Sequence, residues 1–173
     1  MNRSFAAANP SSAIMGTDRF DDAMLSAMRT VSGVGAAEAR AEMPLRVQVG
    51  PNEWRSLTLA AARDYAAVRI NQVLPIDGAW PPRDGEVVLE GGALGFLRAK
   101  VGDVLRVETA SGTPYQLRFA GTGRDIFQMS PLISGGAAGY VTMGTLIADL
   151  VKRRVGFSGR VEDLNLHNYV RQS

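Results

Sequence analysis

The stretch Lys100–Thr109, KVGDVLRVET, begins with a turn and continues as a strand in which apolar and polar residues alternate. The segment Tyr115–Ala120, YQLRFA, alternates in the same way. Alternation with a period of two is typical of a strand with one buried face. The two segments therefore predict a β-hairpin, and its register follows from parity because both apolar sets must face the core.

The hairpin loop is predicted to contain three residues, Ala110–Gly112. A loop of this length pairs Val107 with Tyr115, and it gives Gly112 the left-handed conformation that such loops favour. A loop of two residues would turn one of the two apolar sets outward. We therefore expect Gly102 and Gly112 to serve the backbone and not a ligand.

The remaining patterns predict further strands and helices along the chain. Strands are predicted at Val34–Val49, Trp54–Ala60, Glu86–Glu90 and Tyr140–Thr142, and helices from Asp18 to Gly33, at Ala93–Ala99 and at Thr145–Arg153. The segment 121–139 is predicted as a long loop, and the tail from Phe157 to Ser173 has weak structure signals. Helices and antiparallel strands are mixed without regular βαβ alternation, which indicates the α+β class.

The first predicted helix carries an apolar stripe formed by Phe20, Met24 and Met28 at helical spacing. Asp18 can cap its start, and two further aspartates, Asp21 and Asp22, lie in the first turn. The methionines are expected to fill the core. Trp80, at the bend GAWPPRDGE, is likewise expected to be a packing anchor.

Composition and charge exclude several classes of function. The chain has 173 residues, a net charge of +2 and no cluster of basic residues, which argues against nucleic-acid binding. It contains no cysteine, so disulfides, thiolate metal sites and a cysteine nucleophile are excluded. No stretch approaches the roughly 20 apolar residues of a membrane-spanning helix. The N-terminus is too polar for a signal peptide.

The glycines Gly91, Gly92 and Gly95 follow a predicted strand and precede a predicted helix, as in a phosphate-binding loop. Their spacing does not match the dinucleotide fingerprint G-x-G-x-x-G, and no P-loop motif is present. We therefore interpret the pair Gly91–Gly92 as the end of a strand that lets a short helix pack closely.

The titratable residues do not form a recognisable catalytic or metal-binding motif. His167 is the single histidine, and no G-x-S-x-G motif accompanies it. Asp103 and Asp125 lie within two residues of a glycine, where aspartate is a turn former. The sequence predicts no catalytic residue, no cofactor site and no metal site.

The order of these elements resembles the extracytoplasmic domain of MacB/FtsX-like ABC-transporter permeases. The most specific motifs are GAWPPRDGEVVL at Gly78–Leu89 and AKVGDVLRV at Ala99–Val107, and the resemblance extends from about Asp18 to Leu150. It implies a non-catalytic domain outside the cell membrane that contacts substrate or partner proteins and transmits conformational change. It further implies a cytoplasmic ATPase and a permease partner, and a peptide, lipid or lipoprotein substrate.

The resemblance also implies a domain organisation. Residues 1–17 would be a linker after a transmembrane helix, residues 18–157 the extracytoplasmic domain, and residues 158–173 a tail. Within the domain, a lobe of mixed α/β structure (18–80 with 126–156) would carry a small β-rich inserted lobe (81–125). The isolated domain is expected to be monomeric.

Two other functions are compatible with the sequence. One is a free-standing module that binds a peptide or a lipid. The other is a hydrolase that uses His167. Transmembrane segments and an ATPase encoded next to this segment would favour the permease over both alternatives.

Overall fold

The computed structural model describes residues 7–17, 21–147 and 165–172, and these ranges form strands and short helices that confirm the α+β class. The strands are β1 Ala13–Thr17, β2 Val34–Gly50, β3 Glu53–Ala62, β4 Leu74–Gly78, β5 Glu86–Glu90, β6 Val104–Glu108, β7 Pro114–Arg124, β8 Gly136–Thr142 and β9 Asn165–Gln172. The helices are α1 Asp22–Arg29, α2 Ala93–Leu97, α3 Pro131–Ser134 and α4 Met143–Thr145.

Six of these strands form a closed ring. Going around it, β2 pairs with β3, β3 with β8, β8 with β5, β5 with β7, and β7 with β6. The ring closes because β6 also pairs with β2. The pairs β3–β8 and β5–β7 are parallel, and the other four are antiparallel. The result is a small barrel whose interior is filled by side chains.

Three strands extend this barrel. β9 pairs with the first half of β2, and β1 pairs with β9. β4 pairs with the second half of β7. Because Ala13 and Ala37 both lie opposite Val170, β1 and β9 are located at the N-terminal end of β2. The turn between β2 and β3 marks the other end of the barrel.

The barrel interior is the main hydrophobic core. It consists of the inward residues of all six strands, with Ala93 and Leu97 of α2 packed against them. Alternate residues of β3 illustrate the pattern, since Leu57 and Leu59 are buried while Ser56 is exposed. This is the alternation from which the strands were predicted.

The predicted hairpin is confirmed. β6 and β7 pair Val107 with Tyr115, and Leu105 with Leu117. The Thr109 N–H donates to the Thr113 carbonyl at 3.3 Å, which encloses the three-residue loop. Gly112 has a φ of 80°, the left-handed conformation that was expected.

The first helix differs from its prediction in two respects. It begins at Asp22 and is capped by Asp21, whose Oδ1 accepts from the Met24 N–H at 2.8 Å. Asp18 and Phe20 lie outside the described residues. No side chain of α1 is buried, and Met24 and Met28 are half-buried. The expectation that they fill the core was wrong, because α1 lies beside the first half of β2 near Ala37 and none of its residues belongs to the hydrophobic core.

The long loop predicted over residues 121–139 was also wrong. β7 continues to Arg124 and β8 already begins at Gly136, so the glycines belong to strands. A Cβ at Gly139 would lie 3.0 Å from side-chain atoms of Leu59 and Val87. A small residue is needed there because β8 passes between large interior side chains.

The predicted linker and tail contribute to the fold where they are described. Ala8 is buried, its carbonyl accepts from the Gln72 N–H at 2.8 Å, and β1 follows at Ala13. Residues 165–172 of the tail form β9, which their weak local pattern did not predict. The helix predicted at Thr145–Arg153 is described only as far as Ile147, with α4 ending at Thr145.

The segment 81–125, for which we predicted a small inserted β-rich lobe, contains β5, β6 and β7. Its strands β5 and β6 pair with β8 and β2, and its apolar side chains belong to the same core as those of β2 and β3. Segments 18–80, 81–125 and 126–156 thus all contribute strands to the barrel.

We expect Gly112→Ala to lower the free energy of unfolding by about 1 kcal/mol, because a side chain is strained at positive φ. The matched control is Gly95→Ala in α2, where no atom lies within 4 Å of the added Cβ. This variant should be more stable by roughly 0.5 kcal/mol, since alanine restricts the unfolded chain. Urea unfolding followed by circular dichroism measures both changes. Equal effects of the two substitutions would contradict the assigned conformation.

Candidate functional site

A buried polar cluster lies on the outer face of the barrel wall, where Tyr140 of β8 meets the residues that follow β7. The Tyr140 hydroxyl donates to Asp125 Oδ2 at 2.9 Å, and Asp125 Oδ1 accepts from the Phe127 N–H at 2.9 Å. Both side chains are buried. Asp125 is thus a turn former, as predicted, and it also anchors β8 to the loop that follows β7.

An aromatic row continues this cluster. The rings of Tyr140 and Trp80 are 6.1 Å apart, and those of Trp80 and Tyr65 are 5.0 Å apart, both in edge-to-face arrangements. The Tyr65 hydroxyl lies 2.9 Å from the Ala60 carbonyl. Trp80 is therefore a packing anchor, as expected from the sequence. Its role is to hold the bend before β5 against β8.

The environment of Tyr140 disfavours its ionised form. Burial raises the pKa of Tyr140 well above its usual value, and the neighbouring carboxylate of Asp125 raises it further. The buried guanidinium of Arg40 acts in the opposite direction. Arg40 Nη2 donates to the carbonyls of Ile70 and Asn71 at 2.7 Å, which fixes the segment before β4 against β2.

A groove of about 480 Å³ runs between α1, the first half of β2 and the end of β3. Its apolar lining consists of Leu25, Ala39, Ala41, Ala62, Ala67, Val68 and Met143. Charged residues of both signs line it as well, and an ion pair between Arg63 and Asp22, with 3.1 Å between N and O, links the end of β3 to α1. The groove can accept a ligand with an apolar body and a polar end.

An exposed apolar loop lies at the other end of the barrel, between β7 and β8. Four large apolar side chains within seven residues are exposed: Phe127 (40%), Met129 (65%), Leu132 (85%) and Ile133 (79%). The loop includes α3, which packs against α2 and β8. We call residues 127–133 the apolar loop. A cluster of this kind is typical of an interaction surface.

Charged side chains lie at the same end of the barrel. Glu53 accepts from Arg55 at 2.7 Å and from Arg98 at 2.9 Å, and the hydrogen bond from Arg55 is the main reason that the pKa of Glu53 is lowered. The Arg55 guanidinium also donates to the Phe96 carbonyl in α2. Two arginines on one carboxylate leave this group of three side chains with a net positive charge.

The glycines weighed as a phosphate site have the structural role that we inferred. The Gly91 N–H donates to the Gly123 carbonyl at 2.9 Å, and the Gly92 N–H donates to Glu90 Oε2 at 2.6 Å. They end β5 and begin α2, which has only five residues. Gly95 faces open space within that helix.

Asp103 and Asp125 each act locally in a turn. Asp103 Oδ2 accepts from the Lys100 N–H at 2.8 Å, the turn role predicted for it. The backbone of His167 lies in β9 opposite Gly16 and Arg40. Within residues 7–17, 21–147 and 165–172, no three His, Asp or Glu side chains are arranged to hold a metal ion.

Comparisons with known proteins identify similar folds. No protein-family model matches the sequence, and no curated protein matches it. A solved structure does: the extracellular domain of the noncanonic ABC-type transporter YknZ from Gram-positive bacteria is similar, with 15% identity and a TM-score of 0.52. The match covers 89% of this chain and 73% of that domain. The chain shares its fold with the YknZ domain.

The periplasmic region of MacB from Actinobacillus actinomycetemcomitans also matches, with 12% identity, a TM-score of 0.49, and coverage of 90% of this chain and 66% of that region. The fold expected from the motifs at Gly78–Leu89 and Ala99–Val107 is thus the fold found in the YknZ domain. In the part of the chain that the structure describes, none of the helices is long and apolar enough to cross a membrane.

We expect Tyr140→Phe to lower the free energy of unfolding by about 1–3 kcal/mol at neutral pH, because the buried carboxylate of Asp125 loses a hydrogen bond. The free energy of unfolding should also depend differently on pH in the two proteins under alkaline conditions. In the unfolded chain a tyrosine ionises near pH 10.0, whereas folded Tyr140 retains its proton to higher pH. Ionisation therefore favours the unfolded state as the pH rises above that value.

Stability of the unsubstituted chain should therefore fall more steeply than that of the Phe variant as the pH rises from about 9 to 11. Urea unfolding at several pH values measures both slopes. Parallel slopes would show that Tyr140 ionises equally well in the folded and unfolded states.

Proposed function

We propose that this chain is a non-catalytic extracytoplasmic domain of an ABC-transporter permease, located on the outer side of a cell membrane. The observation that carries the proposal is the shared fold with the extracellular domain of YknZ. The motifs GAWPPRDGEVVL and AKVGDVLRV support it independently, because they suggested the same family from the sequence.

The position of the first and last described strands supports a domain inserted between two transmembrane helices. β1 and β9 are antiparallel neighbours, with Ala13 opposite Val170. Gln172 lies opposite Val34, at the start of β2. The chain therefore enters and leaves the fold at one end of the barrel, which would face the membrane.

We infer that the apolar loop contacts a partner protein outside the membrane. The loop precedes Gly136 of β8. Gly136 lies opposite Ser56 of β3, which in turn lies opposite Arg46 of β2. Ala37 of β2 marks the membrane-facing end, and Arg46 lies nine residues farther along the same strand. The loop therefore lies ~30 Å from that end, measured along the strand. At this distance the loop would not reach the membrane to which the domain is attached. A cytoplasmic ATPase and a permease partner would act through the transmembrane segments.

A free-standing module that binds a lipid or a peptide is the second candidate, and the groove beside α1 favours it. The two functions predict the same ligand contacts but differ in their attachment to a membrane. A test of location therefore separates them.

The location can be tested by cysteine labelling in a background without other cysteines, because these 173 residues contain none. Asn52→Cys introduces one thiol in the exposed turn between β2 and β3. In the full-length protein in its own membrane, we expect a membrane-impermeant maleimide to label this thiol equally in intact and permeabilised cells. Labelling that requires permeabilisation would overturn the proposed location.

The matched control for labelling is Ala61→Cys, whose side chain lies in the barrel core. It should remain unlabelled in both preparations as long as the protein is folded. A protein that fractionates as soluble, without a membrane-bound form, would favour the free-standing module.

We expect the 173-residue chain to sediment as a monomer at micromolar concentration, because permease pairing would be enforced by transmembrane segments. Leu132→Asp should leave both the sedimentation and the free energy of unfolding unchanged, since the side chain is exposed. A dimer that Leu132→Asp dissociates would show that the apolar loop binds a second copy instead of a partner protein.

A further inference from the structure

We propose that the groove between α1 and β2–β3 binds a single-chain membrane lipid with a zwitterionic head group. The proposal rests on the proposed function for the source of the ligand, which would be the membrane next to this end of the domain. Of the peptide, lipid and lipoprotein ligands considered above, it selects a lipid.

The groove exists because small residues line its floor. Ala39 and Ala41 of β2 and Ala62 of β3 leave a space that larger side chains would fill, and α1 spans this space without burying any residue. Leu25 and Met143 add apolar walls. An apolar chain placed here would remove this surface from water, which is the main driving force for binding such ligands.

The size of the groove favours one acyl chain over a larger partner. A volume of about 480 Å³ lies within the range of small-molecule sites, which is ≈ 300–1,000 Å³. A folded protein segment would need a longer surface, and a two-chain lipid would exceed the apolar lining.

Charges of both signs around the groove favour a zwitterionic head. Asp22 and Arg63 pair across the groove at 3.1 Å between N and O, and Arg29 and Asp64 are further lining residues. The Glu38 carboxylate is held by the N–H groups of Arg69 at 2.7 Å and Ile70 at 3.2 Å. A purely anionic or purely cationic head would face like charges here, whereas a phosphocholine group carries a partner for each sign.

The location of the groove fits a ligand that comes from the membrane. Its floor at Ala39 lies two residues along β2 from Ala37, the level at which β1 and β9 enter and leave the fold. α1 is attached by an exposed ion pair and by the Arg29 Nε bond to the Ala37 carbonyl at 3.0 Å. Since exposed ion pairs contribute little stability, α1 can shift to admit a chain.

The test uses dodecylphosphocholine below its micelle concentration, titrated into the 173-residue chain and followed by calorimetry. We expect saturable binding with one ligand per chain, and no binding of phosphocholine, which lacks the apolar chain. Ala39→Leu fills the floor of the groove and should weaken binding at least tenfold. Ala67→Leu on another wall should do the same, so the result does not depend on the folding of one variant.

Two control variants locate the binding. Ala27→Leu lies on the face of α1 that does not line the groove, and it should bind with unchanged affinity. Leu132→Asp removes apolar surface from the distant apolar loop and should also bind normally. Loss of binding in Leu132→Asp with retention in Ala39→Leu and Ala67→Leu would overturn the assignment of the site.

Head-group specificity and source are tested separately. Dodecyl sulfate and dodecyltrimethylammonium should bind at least tenfold more weakly than the zwitterion, and equal affinities would overturn the assigned head group. A fluorescent lysophosphatidylcholine in phosphatidylcholine vesicles should transfer to the unsubstituted chain and not to Ala39→Leu. Transfer to neither would overturn the membrane source. Failure of these tests leaves the Asn52 labelling result, and hence the proposed location, unaffected.

Discussion

The fold depends on the pairing of β6 with β2, because this contact closes the barrel. It involves two residue pairs, Arg46 with Glu108 and Val47 with Val107. The valines are buried, and the Arg46 guanidinium bonds to Glu108 at 2.7 Å while lying over the Trp54 ring at 5.0 Å. With this contact in place, each of the six strands has a neighbour on both sides, which removes the free edges of an open sheet.

Closure also gives the two faces of the sheet different roles, since the inward face stabilises the fold and the outward face can carry interaction sites. The inward side chains form the continuous core, so the outward side chains are free to carry other features. The cluster of Tyr140 and Asp125 lies on the outward face, and the apolar loop lies beyond one end of the barrel. The groove beside α1 adjoins the core, because Ala41 and Met143 contribute to both. A substitution in the apolar loop changes a surface and leaves the interior packing intact, whereas one at Ala41 would also change the core.

Local patterns accounted for the parts of the fold that local contacts determine. The β6–β7 hairpin followed from parity and from the glycine in its loop, and β2 and β3 followed from alternation around a turn. The parallel pairs β3–β8 and β5–β7 join segments far apart in sequence, so no local pattern specifies them. The length of β8 was underestimated because its glycines and alanines are typical of a loop. Small residues are required there because Leu59 and Val87, from other strands, occupy the adjacent space, and no local pattern shows this.

The candidate surfaces were also harder to predict from the sequence, because each combines residues from separate segments. The groove is formed by alanines from β2, β3 and the segment after β3, each of which is unremarkable by itself. Asp125 was recognised as a turn residue, but its buried partner Tyr140 comes from another strand. The segment that forms the apolar loop was visible as partly apolar, and only the structure distinguishes exposed from buried residues within it.

The neighbouring positions of β1 and β9 determine how mechanical force would act on this protein. A pull on the two ends first loads the bonds of Ala8 and Asn9 to the segment before β4, and the pairing of Gln172 with Val34. It then acts across the hydrogen bonds between β1 and β9, which open one after another from the end. The contact that closes the barrel lies outside this path, because β9 pairs with β2 only between Val34 and Glu42, whereas β6 pairs with it at Arg46 and Val47. Under such a force, the strands at the membrane-facing end would separate while the barrel beyond them stays folded.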